Sequence, residues 1–299
     1  MKKIIALLAL VTIGYSGFSQ EDGESSKSNI QTYTPSKLLN KGQWDIKWFN
    51  NLYTQTKSTF SKGKEPRQTF FTSTIDVFTG VSDSNNLNVG LLLEFRSNVI
   101  GGRDAFDVFS FDGESGTARS GFTSFAPAIK FNPIKSISNF TIQSAIHIPL
   151  VNQESDGGVF LDQKGFIFQN RFFYDYTFPG DKFQVFTELN AEYNFGKEAE
   201  FDSNFDTVEG SFANDSLNLT PGIFLSYFPS QKSTILVLAQ HSQRIDTGND
   251  FEQDFTALGG GAKYQITDVL NIEALYTNFV RGNNTGLGQT FNIGLRALF

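Results

Sequence analysis

The side chains able to do chemistry in this chain are charges set at alternate positions of otherwise apolar stretches. Lys47, Arg96, Lys130, Arg171, Lys263 and Arg296 are placed in this way, and so are Asp45, Asp76, Glu94, Asp175, Glu188, Glu192 and Glu273. Charges on one face of a sheet allow two chemistries. They can line a polar pathway and tune which solutes enter it, or they can pair with one another and fill the space as a salt-bridged core. The two signs are nearly balanced, which gives no preference for anionic or cationic solutes.

Hydrolysis is the competing chemistry. The chain has two histidines, His147 and His241. A serine and a histidine two apart on one strand share a face, and a nucleophile must lie within reach of its base. Ser242 adjoins His241, which sets the two on opposite faces, and His147 has Ala145 and Pro149 at that spacing. Asp246 near His241 suits an acid–histidine pair, but any chain of this length offers such pairs. The expectation is therefore no enzyme and no catalytic residue. Both histidines are read as hydrogen-bonding at strand ends or in a lumen, with His147 on the charged face.

Three further groups attract notice. Asp104, Asp107, Asp112 and Glu114 in one stretch, and Glu198, Glu200, Asp202, Asp206 and Glu209 in another, are oxygen-rich, but their spacing fits no defined calcium loop. They read as solvated loops, and no metal or cofactor is expected. Ala105, Phe106, Val108, Phe109 and Phe111 form a loop too rich in Phe for water. Phe106, Phe109 and Phe111 suit a constriction folded into a barrel mouth or a platform for an apolar substrate. Equally, they suit a loop dipping into a membrane or an extension of the preceding strand. Gly259, Gly260 and Gly261 before Lys263 are no phosphate loop, because no helix follows; they let a sheet bend or another backbone approach.

The elements that must position these groups are strands. Thr290–Phe299 is the plainest case. Phe291, Ile293, Leu295, Ala297 and Phe299 alternate with Asn292, Gly294 and Arg296. The same period predicts strands over 43–56, 69–81, 87–97, 122–131, 140–148, 166–178, 183–195, 217–228, 234–241, 255–266 and 270–279. The ninth is apolar on both faces and has the least defined register. The connections alternate in length. Short ones span 82–86, 132–139, 179–182, 229–233 and 267–269; longer ones span 57–68, 98–121, 152–165, 196–216, 242–254 and 280–289. An even strand count with short turns at one end and long loops at the other is the pattern of a transmembrane antiparallel up-and-down β-barrel of about 12 strands. Phe131, Tyr176, Tyr227, Tyr264 and Phe299 fall at one end of the outward face, and Phe95, Tyr193 and Tyr276 at the other, as interfacial girdles would.

Composition agrees. The chain has 33 Phe, 27 Gly and one Met among 299 residues, and 18% of them are charged. No Cys is present, so neither a disulfide nor a lipoprotein anchor can form. A net charge of −7 argues against nucleic acid as a partner. Lys2 and Lys3, the apolar run Ile4 to Ile13 and the small residues before Gln20 read as a signal peptide, residues 1–20. Residues 21–42 read as a periplasmic segment, with Thr34, Pro35 and Ser36 able to cap a short turn through Leu38 and Leu39. It would be either a plug or latch, or a linker. Residues 43–299 read as the barrel.

The signal peptide, the alternating strands, the Gly- and Asn-rich loops and the final amphipathic strand ending on Phe299 resemble small Gram-negative outer-membrane barrels of the transporter and phenol meta-pathway kind. The resemblance spans the mature chain and is architectural. It implies a passive channel for small solutes, hydrophobic ones included, lying among outer-membrane lipids. It also implies that barrel-assembly machinery recognises the last strand. Pro127 and Pro149 near strand ends resemble the kinks of hydrophobic-compound barrels. A structural or surface-interaction barrel with a filled lumen is the alternative, and a membrane-embedded lipid hydrolase the second.

Overall fold

The computed structural model describes residues 34–196, 200–201, 207–209, 215–247 and 251–299. The proposed signal peptide, residues 21–33, and Glu198, Asp202 and Asp206 lie outside the described residues. Twelve antiparallel strands form a closed barrel in which every strand pairs with its neighbours in sequence and the last pairs with the first. They are β1 (Trp44–Gln55), β2 (Gln68–Gly80), β3 (Leu87–Val99), β4 (Ala118–Phe131), β5 (Phe140–Pro149), β6 (Ile167–Thr177), β7 (Phe183–Asn194), β8 (Ser216–Ser230), β9 (Ser233–Asp246), β10 (Gln253–Gln265), β11 (Leu270–Asn283) and β12 (Gln289–Leu298). Two short hairpins, Ser155–Asp156 with Val159–Phe160 and Glu200–Phe201 with Thr207–Glu209, lie in the connections.

Closure gives backbone partners to both edges of the sheet, as lipid requires. Trp48, Leu91, Ile146, Ile223, Val237, Ile293 and Tyr264 point outward and are between 42% and 58% exposed. An apolar wall of this extent is stable against lipid and unstable against water. The alternate residues point inward, where Asp175, Lys130, Gln143 and Glu273 are each under 9% exposed. Polar groups inside and apolar groups outside invert the layering of a soluble domain.

Several details depart from the alternation pattern. β4 begins at Ala118 rather than near 122, and an irregularity between Glu94 and Phe95 fits the extra residue Thr123 into its ladder with β3. β9 and β11 run on to Asp246 and Asn283, beyond the expected 241 and 279. Their added residues hold one apolar side chain each, Ile245 and Val280, too few to show a hydrophobic period. At β9, Leu236 and Leu238 pair with Gly261 and Gly259 on the inward side, while Ile235 and Val237 face out. The two glycines are required: a Cβ at Gly259 would lie 2.0 Å from the Tyr276 carbonyl oxygen, and one at Gly261 2.1 Å from that of Ala274.

Candidate functional site: the barrel lumen

Register places Lys47, Asp76, Glu94, Arg96, Lys130, His147, Arg171, Asp175, Glu188, Glu192, Lys263, Glu273 and Arg296 on inward-facing positions. They gather into separate groups. At the seam that closes the barrel, Arg296 donates from Nε and Nη2 to the two Asp45 carboxylate oxygens, each at 2.7 Å. Glu273 is shared by Lys47 at 3.2 Å and Lys263 at 2.9 Å. Arg171 meets Glu188 at 2.7 Å. Glu192 accepts from Gln169 at 2.7 Å and from Asn190 at 2.8 Å. Paired ions tolerate burial that single ions do not.

Lys130 has a different environment. Its ammonium lies 5.5 Å from the centre of the Phe173 ring, and the Arg171 guanidinium lies 5.1 Å from the same ring. Among the described residues no carboxylate lies within ion-pair distance of Lys130. Phe173 stacks on Phe186 at 6.0 Å, and Phe186 meets Phe224 at 5.4 Å, so an aromatic row continues around the inner wall.

The end of the barrel at which β1 begins and β12 ends is occupied by residues 34–42. Leu39 is 2% exposed and packs with Phe78, Leu92, Ala126, Ala128, Ala145 and Leu298, all inward. Its amide donates to Asn88 Oδ1 at 3.2 Å. Thr34 and Ser36 both donate to Asp175 Oδ1, with Lys37 at 3.8 Å, and Thr141 donates to the Pro35 carbonyl at 3.4 Å.

At the opposite end, the connection between β5 and β6 folds inward. Asp162 meets Arg96 at 3.0 Å, and Arg96 also holds Glu94 at 2.8 Å. Asn98 donates to the Phe160 and Leu161 carbonyls at 2.7 and 3.2 Å. Gln163 donates to Asn194 Oδ1 at 2.9 Å. Val159, Leu161, Asp162 and Gln163 are each under 9% exposed. The signal for this loop in the sequence is the apolar run 159–161 inside an otherwise polar connection.

Phe106, Phe109 and Phe111, for which a mouth constriction and a membrane-dipping loop were both expected, lie on the outer wall and not in the mouth. Ala105–Phe109 forms a single 3-10 turn capped by Asp104. Val108 is fully buried against Phe71, Val99 and Ala118, whose side chains point away from the lumen. Phe109 meets Phe71 edge-on at 4.9 Å and Phe111 meets Phe95 at 5.6 Å. The loop therefore follows the outward apolar strip of β2 to β4, where its Phe side chains find apolar neighbours. Arg103 fastens it with Asp107 at 3.1 Å, Asp112 at 2.5 Å and Glu114 at 3.0 Å. Its hydrogen bonds hold the Asp112 carboxyl well below the usual carboxylate range.

The histidines separate. His241 pairs with Thr256 on the outward side, Nδ1 to Oγ1 at 3.0 Å. His147 has a serine neighbour after all, from the next strand: Ser124 Oγ lies 3.4 Å from Nδ1, and Gln169 Oε1 lies 3.5 Å from Nε2. Spacing within one strand could not show this cross-strand contact. Its length exceeds the roughly 2.6–3.2 Å reach of a serine activated by its base.

No protein-family profile matches the chain, and neither does any curated protein. Solved structures of similar fold include an outer membrane channel from Pseudomonas putida F1, with TM-score 0.64 and 12% identity over 94% of this chain and 100% of that one. The β domain of the Bordetella autotransporter BrkA is similar at TM-score 0.58 and 13% identity, over 86% of this chain and 99% of that one. The transport unit of the autotransporter AIDA-I from Escherichia coli follows at 0.51 and 10%, over 94% of each. At these identities the similarity is one of fold: a closed outer-membrane-type β-barrel.

Proposed function

We propose that this chain is an outer-membrane channel for passive passage of small solutes, hydrophobic ones included. It is exported through residues 1–20, inserted by barrel-assembly machinery that recognises β12, and surrounded by outer-membrane lipids. Residues 34–42 then lie at the periplasmic end and the β5–β6 connection at the external end. The observation that carries this reading is the opposition of the two walls. A membrane barrel needs the apolar exterior; the charged interior adds nothing in lipid unless water or a solute meets it. No catalytic step belongs to this reading.

The test is single-channel recording of the refolded protein in a planar bilayer across several salts. Discrete conductance steps support a channel. A folded, silent barrel supports the second reading, a filled structural barrel, which the burial of Glu273, Asp175 and Lys130 favours. Arg171→Ala separates the two: altered permeation argues for a pathway, whereas loss of thermal stability alone argues for a core.

A further inference from the structure

Lys130, Gln143 and Arg171 sit side by side on the inner wall. Gln143 is the register partner of Lys130 across β4–β5 and of Arg171 across β5–β6. All three point inward. Gln143 is 5% exposed and its Nε2 amide has no hydrogen-bond partner among the described residues; Lys130 is 7% exposed with its ammonium on the Phe173 ring. A buried donor without an acceptor and a buried cation with no carboxylate within ion-pair distance are each unfavourable. Two of them adjacent in one row, beside an arginine whose ion pair among the described residues is with Glu188, call for an acceptor that carries negative charge.

We propose that Lys130, Gln143 and Arg171 form a binding site for the carboxylate of a small organic acid, whose hydrocarbon part rests along Phe186 and Phe224, with Phe173 beneath the two cations. As a route to the lumen the site rests on the channel reading; as a binding site it is tested separately. The carboxylate accepts hydrogen bonds from Lys130 Nζ, Gln143 Nε2 and an Arg171 N–H not engaged by Glu188. Charge-assisted bonds of this kind are the strong ones. The aromatic row gives the site its preference for an organic anion over chloride. Leu39 bonds Asn88, and Asn88 is the register partner of Lys130, so residues 34–42 cover this row from the terminal side.

The experiment measures binding of benzoate to the full barrel in detergent by isothermal titration, beside bilayer conductance of the same preparation. Heat-modifiable mobility verifies that each variant has formed the barrel. Lys130→Met should weaken benzoate binding about tenfold or more, the scale of one hydrogen bond to a charged group, and Gln143→Met by a few-fold. Lys130→Arg, which keeps the charge should Lys130→Met fail to fold, should retain binding. Equal benzoate affinity in wild type and Lys130→Met, or no binding by wild type, overturns the site. Binding without conductance upholds the site and removes the channel; conductance without benzoate binding does the reverse.

Discussion

Arg296 on the last strand grips Asp45 on the first through two parallel 2.7 Å hydrogen bonds, so one ion pair spans the seam that closes the cylinder. Both side chains are 18% exposed. Removing Arg296 strands the Asp45 carboxylate where water is scarce. Arg296→Ala should destabilise the barrel by roughly 2 kcal/mol, below the 3–5 kcal/mol of a fully buried pair. The measurement is the midpoint of urea unfolding in detergent, followed by Trp fluorescence, to which Trp44 and Trp48 near the seam report. An unchanged midpoint would mean that Asp45 finds other partners.

Leu39 fastens residues 34–42 inside the lumen through apolar contact alone on its own side chain. Leu39→Asp places a charge among Phe78, Leu92 and Leu298 and should release the segment. Lys37 and Lys41 then become open to trypsin. The expected result is faster cleavage at these lysines than in wild type with the barrel core intact, read by mass spectrometry. Equal cleavage rates would show that Asp175 holds the segment without Leu39.

The β5–β6 connection depends on the Asp162–Arg96 pair. Because the chain lacks cysteine, a single Gln163→Cys change supplies a clean reporter. Its labelling by a water-soluble thiol reagent should be slow, and adding Asp162→Asn should speed it by about fivefold, the factor for roughly 1 kcal/mol. No acceleration would assign the loop's position to Asn98 instead.

The outer-wall loop should respond to acid. Arg103 depresses the Asp112 carboxyl, so the stabilisation is complete above the ordinary aspartate pKa of about 3.9 and fades as pH falls through the lower folded value. Amide hydrogen-exchange protection factors over residues 104–117 should therefore be level from neutral pH to about pH 4 and decline below it. Arg103→Gln should lower protection at neutral pH and flatten the acid response. A wild-type profile with no acid decline would contradict the role given to Asp112.

The wall of the barrel was legible because its physics is local. A residue's side of β3 follows from counting by two, from Asn88 in to Val89 out, and the unequal connections separate the two ends. What fills the lumen was not legible, because loop placement is decided by distant partners. Phe109 is as apolar on an outer wall as in a mouth, and only Phe71 and Val99 reveal which. Asp162 looks like any loop acid until Arg96 lies opposite it. The Ser124–His147 contact runs between strands, where spacing along the chain carries no signal. Strand ends failed for a related cause: beyond the apolar belt, β9 and β11 continue with a single apolar residue each, Ile245 and Val280, so the period vanishes although the ladder goes on.

Residues 34–42 and the β5–β6 connection use no residue in common, and each occupies its own end of the cylinder. On the proposed channel reading they are resistances in series for anything moving along the axis, and resistances add, whereas conductances do not. Freeing one leaves the flux limited by the other, so Leu39→Asp and Asp162→Asn should each raise current only modestly and together raise it by more than the two gains combined. A barrel arranged in this way can open at either face without becoming a hole, as a lock on a canal does.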